Sequence, residues 1–471
     1  MPDERIETDS LGSVRVPAGR HWGAQTQRAV ENFPVSGTRF PRRFIRALGL
    51  VKLAAAETNR DLGLLDGKLA GAIAKAAAEV VDGRWDDEFP VDVYQTGSGT
   101  STNMNANEVI SSRANEILGG KKGDRSPVRP HDEVNMCQSS NDVIPAAIHI
   151  AALDAFDSDL VPALGDLAGA LRAKSAEFQD VVKTGRTHLQ DAVPVTLGQE
   201  FSGWAAQVAR GMQRVAGGSV RLVEIPLGGT ALGTGINAHP EFGKRACDKL
   251  RAATGLPLSP PLNPFEAQAA RDAIVEASAS LKVVAVSLMK VAGDIRLLAC
   301  GPRAGIGEIV LPELQPGSSI MPGKVNPVMP EMMIQVCAQV IGNDLAVTLG
   351  GALGQLDLNV MMPLMGHNLL QSAALLAAAS RLFAEKCVQG IRADRDRCRS
   401  LVERSLMPVT ALVPRLGYNA AAEIAQEAHR TGKTVREVVL ERKLIPEAEL
   451  DALLDLSGMT KPGIRQESAG G

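Results

Sequence analysis

The chain of 471 residues is poor in aromatic side chains: Phe, Trp and Tyr together make up 3%. Sheets and aromatic-rich cores draw on such residues, so their scarcity turns attention to helices. No CxxC pair occurs among the six cysteines (Cys137, Cys247, Cys300, Cys337, Cys387, Cys398), and none stands near a histidine at metal-ligand spacing. That pattern excludes a disulfide framework and a zinc-finger module, and fits a reduced, cytoplasmic protein with cysteines used as small core residues. No run of about 18 uncharged apolar residues is found, so no membrane span is expected. Met1-Pro2-Asp3-Glu4-Arg5 has no apolar segment behind it, so no secretory signal is expected. Net charge is −3, and no basic run or aromatic-studded basic stripe appears, which argues against a nucleic-acid partner.

What is abundant is alanine, leucine and other small or straight-chain apolar residues. They favour close-packed helices, and the length allows roughly three domains of about 150 residues each. Residues 1–40 read as an extended, irregular entry. Helical periodicity covers 44–62, 68–82 and 107–118, and residues 119–131 read as a loop between domains. From Glu266 to Ala299 there is no proline and one interior glycine, with Ile274, Leu281, Val284, Leu288, Val291, Ile295 and Leu298 at helical spacing. A helix of that length spans ~50 Å at 1.5 Å per residue. Similar patterns run over 142–178 (with a kink at Pro162), 197–221, 327–348 and 364–388. Five such helices imply a long bundle. Their apolarity over much of the circumference predicts burial against other subunits. The expected organisation is all-α: an N-terminal domain over 1–138, the bundle over 139–393 and a small C-terminal helical domain over 394–471, frayed at 467–471.

Four polar motifs interrupt this pattern. Pro316-Gly317-Ser318-Ser319-Ile320-Met321-Pro322-Gly323-Lys324-Val325-Asn326-Pro327 carries two hydroxyls, an ammonium and an amide on a segment that its glycines and prolines keep irregular. Thr96-Gly97-Ser98-Gly99-Thr100-Ser101-Thr102-Asn103 suits close approach of amides and hydroxyls to an anion, and taken alone also reads as a linker before a helix. Gln138-Ser139-Ser140-Asn141-Asp142 reads as a helix N-terminus, a natural carboxylate site. Gly185-Arg186-Thr187-His188-Leu189-Gln190 places one histidine in a polar loop, where a structural role is the commoner one.

Together these strings resemble the signature set of the fumarase/aspartase superfamily, and the chain as a whole is similar to its class II fumarase members. The likeness extends to Ala24–Phe33, Gly228–Gly235 and Gly301-Pro302-Arg303. It implies reversible addition of water to fumarate, giving (S)-malate, with no metal and no organic cofactor. By resemblance, Ser318 is the base for the carbon-bound proton, as a serinate stabilised by loop N–H groups and Lys324. His188, paired with Glu331, handles the water. Ser98, Gly99, Thr100, Ser139, Ser140, Asn141, Thr187, Ser319, Lys324, Val325 and Asn326 bind the substrate. The family assembles as a homotetramer whose sites are shared by three subunits. Where the family often has His-Pro-Asn-Asp as a secondary dicarboxylate site, this chain has Arg129-Pro130-His131-Asp132. The cation and the polar group have changed places, which puts that site in doubt. The nearest alternative activity is that of an aspartate ammonia-lyase. Ser140, where aspartases typically carry threonine, and His188, where many carry glutamine, favour the hydratase. Retention of Ser318, His188 and Lys324 argues against a non-catalytic scaffold.

Overall fold

A computed structural model describes residues 3–463, so the tail expected to fray at 467–471 lies outside the described residues. The chain opens with strands β1 (Glu4–Asp9) and β2 (Gly12–Pro17), followed by helices α1 (Ala24–Asn32), α2 (Arg42–Asp61), α3 (Gly67–Val81) and α4 (Thr100–Ile117). Next come α5 (Ser140–Ala155), α6 (Val161–Glu177), the strands β3 (Val182–Thr187) and β4 (Gln190–Thr196), and α7 (Leu197–Gly218). They are followed by α8 (Phe242–Thr254), α9 (Pro264–Ala269), α10 (Asp272–Leu298), α11 (Val328–Ala352), α12 (Met362–Lys386) and α13 (Arg395–Arg404). The protein is all-α apart from short two-stranded ribbons, and the five long helical segments are present.

Two compact units are formed. One holds the chain up to Pro162 with Gly211–Val286 and Val336–Ala377; the other holds Ala163–Arg210, Ser287–Gln335 and the chain from Ala378 on. In the first, α2 packs on α3, α5 and α8. The bundle helices meet there through small residues. A Cβ on Gly351 of α11 would lie 2.5 Å from Val275 of α10, and one on Gly366 of α12 would lie 2.8 Å from Ile148 of α5. Such close approach is what glycine at a helix crossing allows. Asp344 of α11, buried, accepts from Ser278 and Lys282 of α10. In the second unit α13 packs on β3, and helices over 418–431, 435–441 and 447–453 enclose Leu412, Ile424, Val438, Val439 and Leu450.

Three expectations need correction. Within the stretch 1–40, expected to be irregular, Glu4–Pro17 is an antiparallel hairpin of β1 and β2, and α1 follows over Ala24–Asn32. The alternation is inverted in polarity, with Ile6 72% exposed while Arg5 and Glu7 face inward. The Arg5 guanidinium is satisfied by the carbonyls of Pro17, Arg20 and Trp22, and Glu7 by Arg125. Helix α4 begins at Thr100, seven residues before the apolar periodicity, because its buried face is built from Asn103, Asn105, Asn107, Ser111, Ser112 and Asn115. The helix expected over 266–299 breaks at Ala270, whose backbone is extended. Near Pro162, where the helix over 142–178 is expected to kink, a wide π-type turn, Phe156–Leu160, links α5 to α6.

Among the described residues one helix, Val328–Ala352, is long and apolar enough by length and composition to cross a membrane. Its buried side carries the hydrogen-bonded Asp344, and its outer side leaves Leu345 61% and Leu349 54% exposed.

Candidate active site

The second and third motifs meet in the first unit. Gly99, in the left-handed region at φ 71°, sets α4 off at Thr100, and Ser139 caps α5 by accepting from the Asn141 N–H. The two helix starts are joined by hydroxyls: Ser98 Oγ lies 2.8 Å from Thr100 Oγ1, which lies 2.7 Å from Ser140 Oγ. Free N–H groups and two positive dipole ends gather here, an arrangement suited to a carboxylate. The glycine before Ser98 has a steric reason: a Cβ on Gly97 would lie 1.7 Å from the Val360 carbonyl oxygen. Asn141 Nδ2 donates to Ala231 O at 2.7 Å.

The fourth motif is not a plain loop. Thr187 ends β3, Gln190 begins β4, and His188-Leu189 is the two-residue turn between them, both in the left-handed region at φ 57° and 58°. Two successive positive φ values define a type I′ hairpin turn, which matches the twist of the strands it joins. The turn presents Thr187 and His188 to solvent. Behind it Arg186 forms a two-pronged pair with the fully buried Glu308, at 2.9 and 3.0 Å. Lys183, also buried, lies 3.2 Å from Glu308 and 2.9 Å from Glu200. Burial pushes the Glu200 carboxyl above its ordinary range, with Lys183 pulling the other way. Lys183, Arg186 and Glu200 form one wall of a cavity of about 680 Å³ that Trp204, Lys290 and Asp294 also line.

The first motif forms an exposed loop in the same unit. Its neck is closed by Gly317 N–H donating to Lys324 O at 2.7 Å and Asn326 Nδ2 donating to Gly317 O at 2.6 Å. Ser318 Oγ accepts two backbone N–H groups, from Ile320 at 3.2 Å and Met321 at 2.8 Å. Such donors favour a negative charge on the oxygen. Ser319, Lys324 and Val325 are exposed, and Glu331 sits in the first turn of α11. Among the described residues no hydrogen bond or ion pair joins His188 to Glu331 within the chain.

At the position of the secondary site, Arg129 is engaged by Asp132 at 3.0 Å and Glu133 at 2.7 Å, and His131 faces Gln25. An incoming dicarboxylate would have to displace two carboxylates the chain supplies itself. Sequence reasoning left Asp142, Lys52, Glu200 and Glu308 without roles. Asp142 and Arg186 stand inside quoted motifs, but the partners that make them notable are 86 and 122 residues away.

Known families match the chain that builds this geometry. Residues 12–342 match the family model described as lyase, and residues 409–461 match the fumarase C C-terminus. The chain belongs to the fumarase/aspartase family of lyases. Within that family the likeness is to class II fumarate hydratases. That of Halobacterium salinarum is 57% identical over 462 residues, covering 98% of each chain. The crystal structure of class II fumarase from Schistosoma mansoni superposes with a TM-score of 0.95 at 39% identity, over 97% of this chain and 99% of that one. A fumarate lyase:delta crystallin from Brucella melitensis, bound to cobalt, superposes at 0.94 with 47% identity, over 98% and 100%.

Proposed function

We propose that the chain adds water reversibly to fumarate in the cytoplasm, giving (S)-malate, and that Ser318 is the base that moves the carbon-bound proton. Read from malate, the reaction takes a weakly acidic proton from carbon beside a carboxylate and expels hydroxide. It therefore needs a base, a trap for the developing dianion and an acid for the leaving oxygen. The observation that carries the assignment is the pair of N–H groups on Ser318 Oγ, which stabilise the serinate a base must become. Lys324 and Asn326 would hold the carboxylate that takes up charge, with Ser319 and Val325 alongside. Ser98, Gly99, Thr100, Ser139, Ser140 and Asn141 would hold the other end, and Thr187 the substrate near His188. His188 and Glu331 would pass the proton of the water. No step in this scheme uses a metal or an organic cofactor.

The site would be completed by other copies of the chain in a homotetramer. His188 and Glu331 are not bonded within one chain, and α10 and α11 leave Val286 and Leu345 exposed, among other apolar residues. The test is subunit mixing. Ser318→Ala and His188→Asn proteins, each nearly inactive, should regain part of the wild-type rate when unfolded together and reassembled. Absence of any recovery in mixed tetramers would refute the shared site. Following fumarate absorbance with and without ammonium separates this activity from ammonia addition.

A further inference from the structure

The scheme above makes no use of Asp142, a carboxylate with 0% exposure directly after the substrate-binding Asn141. Three backbone N–H groups converge on it. Oδ1 accepts from Ser139 at 2.9 Å, closing the capping box of α5. Oδ2 accepts from Gly228 at 3.0 Å and from Thr230 at 2.9 Å. The last two belong to a separate turn, held in unusual backbone: Gly228 at φ 97° and Thr230 at φ 54°. A non-glycine residue in that region is strained, and it persists only where its surroundings hold it. The same turn receives the Asn141 side chain, through Ala231 O. Consecutive residues of α5 thus grip residues 228–231, one through a buried carboxylate and one through its amide.

The countercharge is Lys52 of α2, fully buried, which donates to Asn135 Oδ1 at 3.2 Å and Gln138 Oε1 at 2.9 Å. Burial raises the Asp142 carboxyl to about 7 and lowers the Lys52 ammonium to about 7, while their mutual attraction opposes both shifts.

We propose that Asp142 is a positioning residue for the carboxylate subsite: by clamping the 228–230 turn against the first turn of α5 it fixes the Asn141 amide, one N–H on Ala231 O and the other free for substrate. The inference rests on the reading of Ser139–Asn141 as a substrate-binding segment. The ionised carboxyl, which accepts at both oxygens, suits three partners that are all N–H donors. In Asp142→Asn the amide must turn its own donor toward at least one of them.

The test measures KM and kcat for Asp142→Asn, the Kd of succinate as a non-reacting dicarboxylate, and amide exchange at Gly228 and Thr230. KM and the succinate Kd should rise together by about 10- to 100-fold, the loss of one or two charge-assisted hydrogen bonds. kcat should stay within about threefold, as expected when binding common to ground and transition states is lost. The two amides should exchange faster, with the remaining helices protected. Should Asp142→Asn not fold, Gly228→Ala displaces the same turn from outside, since its Cβ would lie 2.7 Å from Gly243 Cα. It should raise KM in the same way. Unchanged KM in a folded variant, or a fall in kcat alone, overturns the proposal. If Asn141→Ala raises KM while Asp142→Asn does not, the positioning role fails and the subsite reading stands. If neither Asn141→Ala nor Ser140→Ala moves KM, the subsite reading itself falls.

Discussion

Gly317→Ala is the smallest change that should disable the serine loop while leaving the fold in place. An added Cβ would lie 2.5 Å from Lys324 O and 2.9 Å from Asn326 N. Both atoms belong to the loop neck, so the neck must open. Opening breaks the bond from Gly317 N–H to Lys324 O and the one from Asn326 Nδ2 to Gly317 O. At about 0.5–1.5 kcal/mol each, their loss disfavours the closed loop by ~1–3 kcal/mol. That is about a 5- to 150-fold drop in the closed-to-open ratio, and kcat/KM should fall by up to the same factor. Residues 319–325 are exposed, so little core packing is lost and the melting temperature should move by no more than about 2 °C. Fumarate absorbance gives the rate, and circular dichroism gives the melt. Activity within twofold of wild type would refute the reasoning. So would a loss of activity that only tracks a loss of folded protein.

Ser318→Ala should lower kcat by the ~10²–10⁴ of a positioned base with little change in KM; if instead His188→Asn abolishes kcat while Ser318→Ala keeps most of it, the base is misassigned. Glu308→Gln takes from Lys183 and Arg186 the buried carboxylate they share, leaving Glu200 and the Asp191 that faces Arg186, and breaking a buried pair of this kind costs about 3–5 kcal/mol. For a unit of this size that is a melting shift of roughly 6–20 °C, measurable by calorimetry. Burial holds His149 down to about 4, below its ordinary value, so the unfolded chain takes up the proton first. Stability from this group is complete above about pH 6.5 and is lost as pH falls toward 4; His149→Asn should flatten that part of a denaturant-midpoint profile. Activity should survive EDTA, despite the cobalt in the Brucella melitensis structure, and turnover that stops in EDTA and returns with a divalent ion would overturn the metal-free mechanism.

The helices were legible where burial is apolar. The run from Ile274 to Leu298 shows its period directly, and α10 covers it. Legibility failed where polar groups do the burying. Helix α4 hides asparagine and serine, and the Asn107 and Asn115 side chains donate to Asn135 and Val128, 28 and 13 residues along the chain. Hydropathy reads such a face as solvent-exposed. The β1–β2 hairpin failed for the same reason, since its inward residues are an arginine and a glutamate. Singly, the motif residues are ordinary loop types; they could be picked out because their strings together resemble the family's signature. His188 could be singled out but not placed, because a two-residue turn with both φ values positive leaves no glycine or asparagine signal when His and Leu fill it. The buried charges behind the site, Glu308 above all, were silent. Their meaning lies in who faces them.

The row of hydroxyls from Ser98 through Thr100 to Ser140 has a consequence of counting. Three hydroxyls own three hydrogens, and the two links between them use two. One hydrogen is left, at either end of the row or, where both neighbours donate to it, on Thr100. An anion arriving at either end sets the direction of every bond in the row, so the far hydroxyl responds to a ligand it never touches. The row behaves as a single donor with a polarity that can be reversed, each bond strengthening the next. Thr100 is its middle, and cutting there leaves two unlinked ends. Replacing Thr100 and Ser140 together should therefore weaken dicarboxylate binding by less than the sum of the two single replacements.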